Sequence, residues 1–154
     1  MIRTIFFSVT ILTMTFPGNS LAQAIPGNDL WLASINDDVA GEPVKISTGT
    51  GYNNQPHFSN DGSIIYYTRE LSDDGAAVQT DIAAFHTGTS ITTMVNHTPE
   101  SEYSPTPIPG RRALSVIQVE ADQKQRLWAI DVTTGKMDLL LADVEPVGYH
   151  AWIS

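Results

Sequence analysis

A pattern recurs about every 45 to 50 residues along this chain, and it restricts the fold more than any other feature. Its first part is an apolar strand: Asp29-Leu-Trp-Leu-Ala-Ser34, Asp81-Ile-Ala-Ala-Phe-His86 and Arg126-Leu-Trp-Ala-Ile-Asp131. Its second part is a shorter apolar stretch: Pro43-Val-Lys-Ile46, Ile91-Thr-Thr-Met-Val95 and Met137-Asp-Leu-Leu-Leu141. Its third part is Gln55-Pro-His-Phe-Ser59, echoed by Ser104-Pro-Thr-Pro-Ile108 and Tyr149-His-Ala-Trp-Ile-Ser154. A repeat of that length, built from short strands and turns, points to β-propeller blades.

Strand signals run through the whole region, and no window carries a sustained helical period. Strands are expected over 29–35, 43–47, 55–59, 63–69, 80–86, 91–95, 104–108, 112–119, 126–132, 137–141 and 149–153. Asn60-Asp61-Gly62 sits between two of them and supplies the residues that a tight hairpin needs. Thr87-Gly88-Thr89 and Thr133-Thr134-Gly135-Lys136 hold equivalent places, with glycine available for a left-handed position. Ser72-Asp-Asp-Gly75 and Ala121-Asp-Gln-Lys124 read as exposed hairpin tips.

Residues 1–24 read as a secretory signal. Arg3 is the positive start, Thr4 to Phe16 is an uncharged apolar run, and Ala22-Gln23-Ala24 suits signal cleavage. The run is shorter than the roughly 20 residues that span a bilayer, and no other stretch could cross one. Cleavage would leave 25–154 as a single domain, and losing Arg3 takes the formal charge from −9 to −10. That acidity argues against nucleic acid and anionic membranes as partners. With no cysteine, the exported chain has to rely on its core. A periplasmic or secreted location is expected.

The stretch Gln55-Pro-His-Phe-Ser-Asn-Asp-Gly-Ser-Ile-Ile-Tyr-Tyr67 resembles the TolB-like β-propeller repeat. That repeat carries Pro-x-aromatic-Ser-Pro-Asp-Gly, then an apolar strand, an Asp-Ile-Tyr-like strand, a Thr-Gly turn and a short apolar strand. Asp81-Ile82, Thr87-Gly88 and Ile91 to Val95 follow in that order, and Ser104-Pro-Thr-Pro107, Leu127-Trp128, Thr134-Gly135 and Leu139 to Leu141 repeat it. The resemblance covers 29–154. Asn60 departs from the usual Pro, and Pro109-Gly110-Arg111 replaces the Ser-Pro-Asp-Gly turn in the next unit. The implied fold is all-β: a propeller fragment of about three four-stranded antiparallel blades in an incomplete ring. By the family's blade order, the chain holds half a blade, two whole blades and the first strand of another. That reading expects a truncated part of a larger ring.

Function is expected on surfaces. No Gly-x-Ser-x-Gly elbow, His-Glu-x-x-His motif, phosphate loop or cysteine nucleophile is present, so no catalytic residue is assigned. Nor is any cofactor or metal implied. His57 and His150 are candidates to line a channel, although a hydrogen-bonded histidine packed between blades is the simpler reading. Two histidines could start a metal site, but no third ligand is evident. Asp61, between Asn60 and Gly62, is read as a turn stabiliser. Trp31, Trp128 and Trp152 recur at repeat positions and are read as core. Tyr52, Glu100, Glu102, Tyr103 and Tyr149 lie in loops near 50–55, 97–104 and 143–149, which suits protein binding. The expected role is therefore a non-enzymatic protein–protein interaction module, its partner unidentified. The alternative is the accessory propeller of a larger secreted hydrolase, such as a prolyl-oligopeptidase-like peptidase.

Overall fold

The computed structural model describes residues 27–71 and 79–153. The candidate signal over 1–24, the Ser72 to Gly75 tip and Ser154 lie outside the described residues.

All regular structure among the described residues is β. Strands β5 (Asn53–Phe58), β6 (Ile64–Leu71), β7 (Gln79–His86) and β8 (Ile91–Met94) form one antiparallel sheet in chain order. A second such sheet follows from β9 (Ser101–Pro107), β10 (Ala113–Val119), β11 (Gln125–Asp131) and β12 (Met137–Leu139). Ahead of them, β1 (Trp31–Leu32) pairs with β4 (Val44–Lys45), and β2 (Ile35–Asn36) pairs with β3 (Val39–Ala40).

The small β2–β3 hairpin replaces the outer end of the strand expected over 29–35. Asp37 and Asp38 both take positive φ there (47° and 62°), as a two-residue hairpin turn requires. No strand forms over 149–153, and that expectation is corrected. The stretch is held by side chains instead, as described below.

The β5–β8 sheet is covered on both faces, which explains why Ile64-Ile-Tyr-Tyr67 shows no polar alternation. Ile65, Tyr67, Ala83 and Phe85 pack with Ile46 toward the β1–β4 side. Tyr66, Ile82 and Ala84 point the other way and meet Leu114, Val116 and Ile130 of the next sheet. The far face of that sheet packs Ile117 and Leu127 against Val147.

The repeat survives as backbone geometry. Ile46 donates to the Leu30 carbonyl, Val95 to Ile82 and Leu140 to Leu127, at 2.9, 2.8 and 2.9 Å. Seven residues beyond each donor comes a buried position: Asn53, Glu102 and Val147. Two bulges repeat as well. Gln55 and Ser104 each precede a proline and take positive φ (55° and 56°), where β5 and β9 shift register against their neighbours. The bulges are tied together, because Ser104 N–H donates to Gln55 Oε1 at 2.9 Å and Thr68 Oγ1 donates to the same oxygen at 2.9 Å.

Trp31 departs from the core role expected of it and is 60% exposed. Its sheet has only two strands, and Trp31 stands in register with Lys45 on the face opposite the core-packed Leu32. Trp128 is half-buried and Trp152 is 39% exposed.

Candidate functional site

At one end of the two large sheets, the loop over 97–101 stands opposite the β10–β11 hairpin tip. Between them runs a groove of three adjoining depressions, of about 590, 420 and 380 Å³. The first, lined by His97, Thr98, Gln118, Trp128 and Met137, shares Pro99, Glu100, Glu120 and Ala121 with the second. Tyr103 and Val119 carry the second into the third, where Gln55, Gln125 and Tyr149 complete the wall.

The tip is shaped by local chemistry. Gln123 takes φ 67° and donates its N–H to the Glu120 carbonyl at 2.8 Å, while Asp122 Oδ1 accepts from Lys124 N–H at 3.2 Å. Glu120 accepts from the Arg126 guanidinium, and from Trp128 Nε1 at 2.9 Å. These bonds, Arg126 foremost, hold the Glu120 carboxyl below its ordinary value. They also fix the indole as one wall of the groove.

Three of the partner candidates gather at this end. Tyr103 and Tyr149 line one depression, and Tyr149 is 90% exposed. Tyr52 lies close by: burial raises its phenol above the ordinary value, an Asn54 hydrogen bond offsets part of that, and the Tyr103 and Tyr149 phenols add to it. Glu100 sits on the groove rim, half-buried.

Glu102 is the exception. It is 0% exposed and unavailable to a partner, which corrects its place among the surface candidates. In β9 it stands in register with Gln118, on the face that packs toward the preceding sheet, whereas Tyr103 beside it faces away with Ile117. Thr98 Oγ1 and Gln118 Nε2 donate to Glu102 Oε1 at 2.6 and 2.9 Å, and Asn96 Nδ2 donates to Oε2 at 2.7 Å. Asp81 lies beside it: its fully buried carboxylate accepts from Thr98 N–H at 3.5 Å and meets His97 Nδ1 at 3.0 Å. The sequence signal for this network was present in outline, since Asp81, Asn96 and Glu102 hold equivalent repeat places to Asp29, Ser47 and Asn53.

The channel candidates separate into two environments. His57 is exposed, its Nδ1 3.0 Å from the Phe58 carbonyl oxygen. His150 is half-buried, with Nε2 2.6 Å from Ser115 Oγ. Burial lowers the His150 imidazole below its ordinary value, and nearby His57 adds to this. No cluster of three or more His, Asp or Glu suited to a metal occurs among the described residues.

Asn60, Asp61 and Gly62 lie at the opposite end and form the expected turn. Gly62 takes φ 72°, and Asp61 Oδ1 accepts from Ser59 Oγ, Ser63 N–H and Ser63 Oγ at 2.7, 3.0 and 2.7 Å. These bonds lower its carboxyl to about 2. The Thr87–Thr89 turn differs from expectation: Ser90, not Gly88, takes positive φ (55°).

No family model and no curated protein matches the chain. Among solved structures, "putative TolB from Agrobacterium tumefaciens" is similar with a TM-score of 0.54 and 19% identity, over 78% of this chain and 50% of that one. The chain thus spans about half the length of that neighbour. At this identity the likeness speaks to architecture, and the architecture is TolB-like β-propeller. No helix among the described residues is long and apolar enough to cross a membrane.

Proposed function

We propose that this chain is a non-enzymatic, exported protein-binding module, and that its partner docks at the groove end of the propeller. One observation carries the reading: Tyr52, Tyr103 and Tyr149, far apart in sequence, gather beside a continuous open groove. Tyrosines offer large contact area at small entropic cost, and they are enriched where interfaces draw their binding energy. Glu100 and Asp122 add carboxylates to the rim. The two large sheets serve as blades, with the β1–β4 pair as the outer half of another. Export rests on the Thr4–Phe16 apolar run and the Ala22-Gln23-Ala24 site.

A photo-crosslinking residue at position 149 tests the docking end in cells. It should trap a protein, while the same group at exposed position 91, at the opposite end, should not. Equal adducts at both positions, or none at 149, would refute the assignment. Fractionation followed by amino-terminal sequencing tests export, with a mature end at Ile25 as the expected result.

A further inference from the structure

We propose that Asp81 and Glu102 form a proton-sensitive latch across the seam between the two four-stranded sheets, holding one proton when the seam is closed. Asp81 lies at the start of β7 and Glu102 in β9, and Thr98 spans their carboxyls: its N–H donates to Asp81 Oδ1 at 3.5 Å and its Oγ1 to Glu102 Oε1 at 2.6 Å. Both carboxyls are fully buried. Two such groups in contact cannot both ionise without strong repulsion in a poorly solvated site. A shared proton turns that repulsion into a hydrogen bond.

The fold does not demand a carboxyl here. At the equivalent repeat positions the chain uses the neutral amide of Asn53 and the apolar side chain of Val147, and both are buried. Both packings serve the same backbone geometry without charge. The middle seam alone of these three carries a titratable side chain at this position.

The surroundings assign the proton. Burial is the largest influence on Glu102, the Asp81 contact is second, and the donors Thr98, Gln118 and Asn96 offset them in part; together they raise its carboxyl to about 7. Asp81 faces His97 from the 96–100 loop and stands in register with Arg69 of β6. Arg126 of β11 stands in register with Gln118 but is engaged by Glu120. Glu100, on the same loop as His97, completes the charged groups around the pair. Burial favours the protonated form of Glu102, so Glu102 is the proton donor within the pair.

Glu102 binds its proton more tightly folded than unfolded, so the folded state holds extra protons between the ordinary value of 4.5 and about 7. Stability therefore falls as pH rises through that window. Thr98 and Gln118 both hold Glu102 and line the groove, so the loosening reaches the groove wall. The latch does not depend on what the groove binds.

Thermal unfolding of the full chain between pH 4.5 and 8 tests the latch. The midpoint of Glu102→Gln should gain on that of the native chain as pH rises toward about 7, because only the native chain loses a proton there. His97→Asn separates the neighbouring imidazole, and the gain should survive in that background. A gain that is absent, or that is lost with His97→Asn, would overturn the proposal. Carboxyl carbon NMR of the native chain with labelled glutamate keeps the test open if Glu102→Gln fails to fold. One glutamate titrating near pH 7 supports the latch; all titrating between pH 4 and 5 would overturn it.

Discussion

Ser115 Oγ stands 2.6 Å from His150 Nε2, and this contact anchors the chain's last described stretch to β10. Trp152 Nε1 donates to the same oxygen at 2.8 Å. The two bonds do for residues 149–153 what strand pairing does elsewhere. Ser115 is fully buried, so its hydroxyl meets no competing water. Ser115→Ala should cost about 1 kcal/mol, because the two half-exposed rings lose their shared partner. Loss of Trp152 shielding from a fluorescence quencher checks the local effect, and denaturant unfolding checks the total.

The same contact responds to acid. Burial keeps the His150 imidazole below its ordinary value of 6.5, so its contribution is present above that value and lost as pH falls through the folded one. Acid should therefore release residues 149–153 before global unfolding. Limited proteolysis across pH 4 to 7 should show cleavage near His150 rising toward the acid end, and His150→Gln should remove the trend.

Two glycines with similar backbone angles should respond differently to alanine. Gly51 has φ 95°, and a Cβ there would lie 2.7 Å from the Glu70 carboxyl carbon. Glu70 is held in place because its Oε2 accepts from Tyr52 N–H at 2.8 Å. Gly62 has φ 72° but open space around it. Gly62→Ala should cost about 1 kcal/mol from backbone strain alone, and Gly51→Ala about 2–3 kcal/mol from strain and collision together. Chemical denaturation of both variants settles the order.

The Tyr67 hydroxyl is buried without a hydrogen-bond partner, although its ring packs in the core. Tyr67→Phe should therefore be neutral or stabilise by up to about 1 kcal/mol, since it removes an uncompensated polar group. Ile82→Ala, in the core between the two large sheets, should cost about 2–5 kcal/mol. Unfolding free energies of the two variants should differ in sign or by several-fold.

At the opposite end, Asp61 accepts three hydrogen bonds within its own turn. Its carboxyl is lowered to about 2, so the turn keeps its stabilisation above the ordinary value of 3.8 and loses it as pH falls through about 2. Asp61→Ala should lower the melting temperature at pH 7 and lower it less near pH 2.

The strands that repeat most regularly were the most legible. Ile64 to Tyr67 is apolar on both faces and Ala113 to Val119 is largely so, and both became sheet interiors. The Asn60-Asp61-Gly62 turn was equally plain, because its geometry depends on neighbours within a few residues. The groove was legible only in part: Tyr103 and Tyr149 stood out as loop aromatics, but nothing local announced that Gln55 would join them. Glu102 was misread for a specific reason. Ser101-Glu102-Tyr103 looks like a polar rim, yet one of its alternating faces turns inward. The bulges at Gln55 and Ser104 help set which face that is, and a one-residue slip would have exposed Glu102 and buried Tyr103.

The sequence by itself determined the all-β class, the repeat and the Asn60-Asp61-Gly62 turn, while the grouping of strands into sheets was what the TolB-like resemblance implied. Hydrophobic period and turn chemistry act over a few residues, so a linear reading can find them. Only the tertiary structure decided that Asp81 and Glu102 share a seam, that three tyrosines gather at one end, and that Ser115 captures His150 and Trp152. Each of these joins residues separated by twenty or more positions. Their meeting depends on how one sheet seats against the next, a geometry that no local pattern encodes.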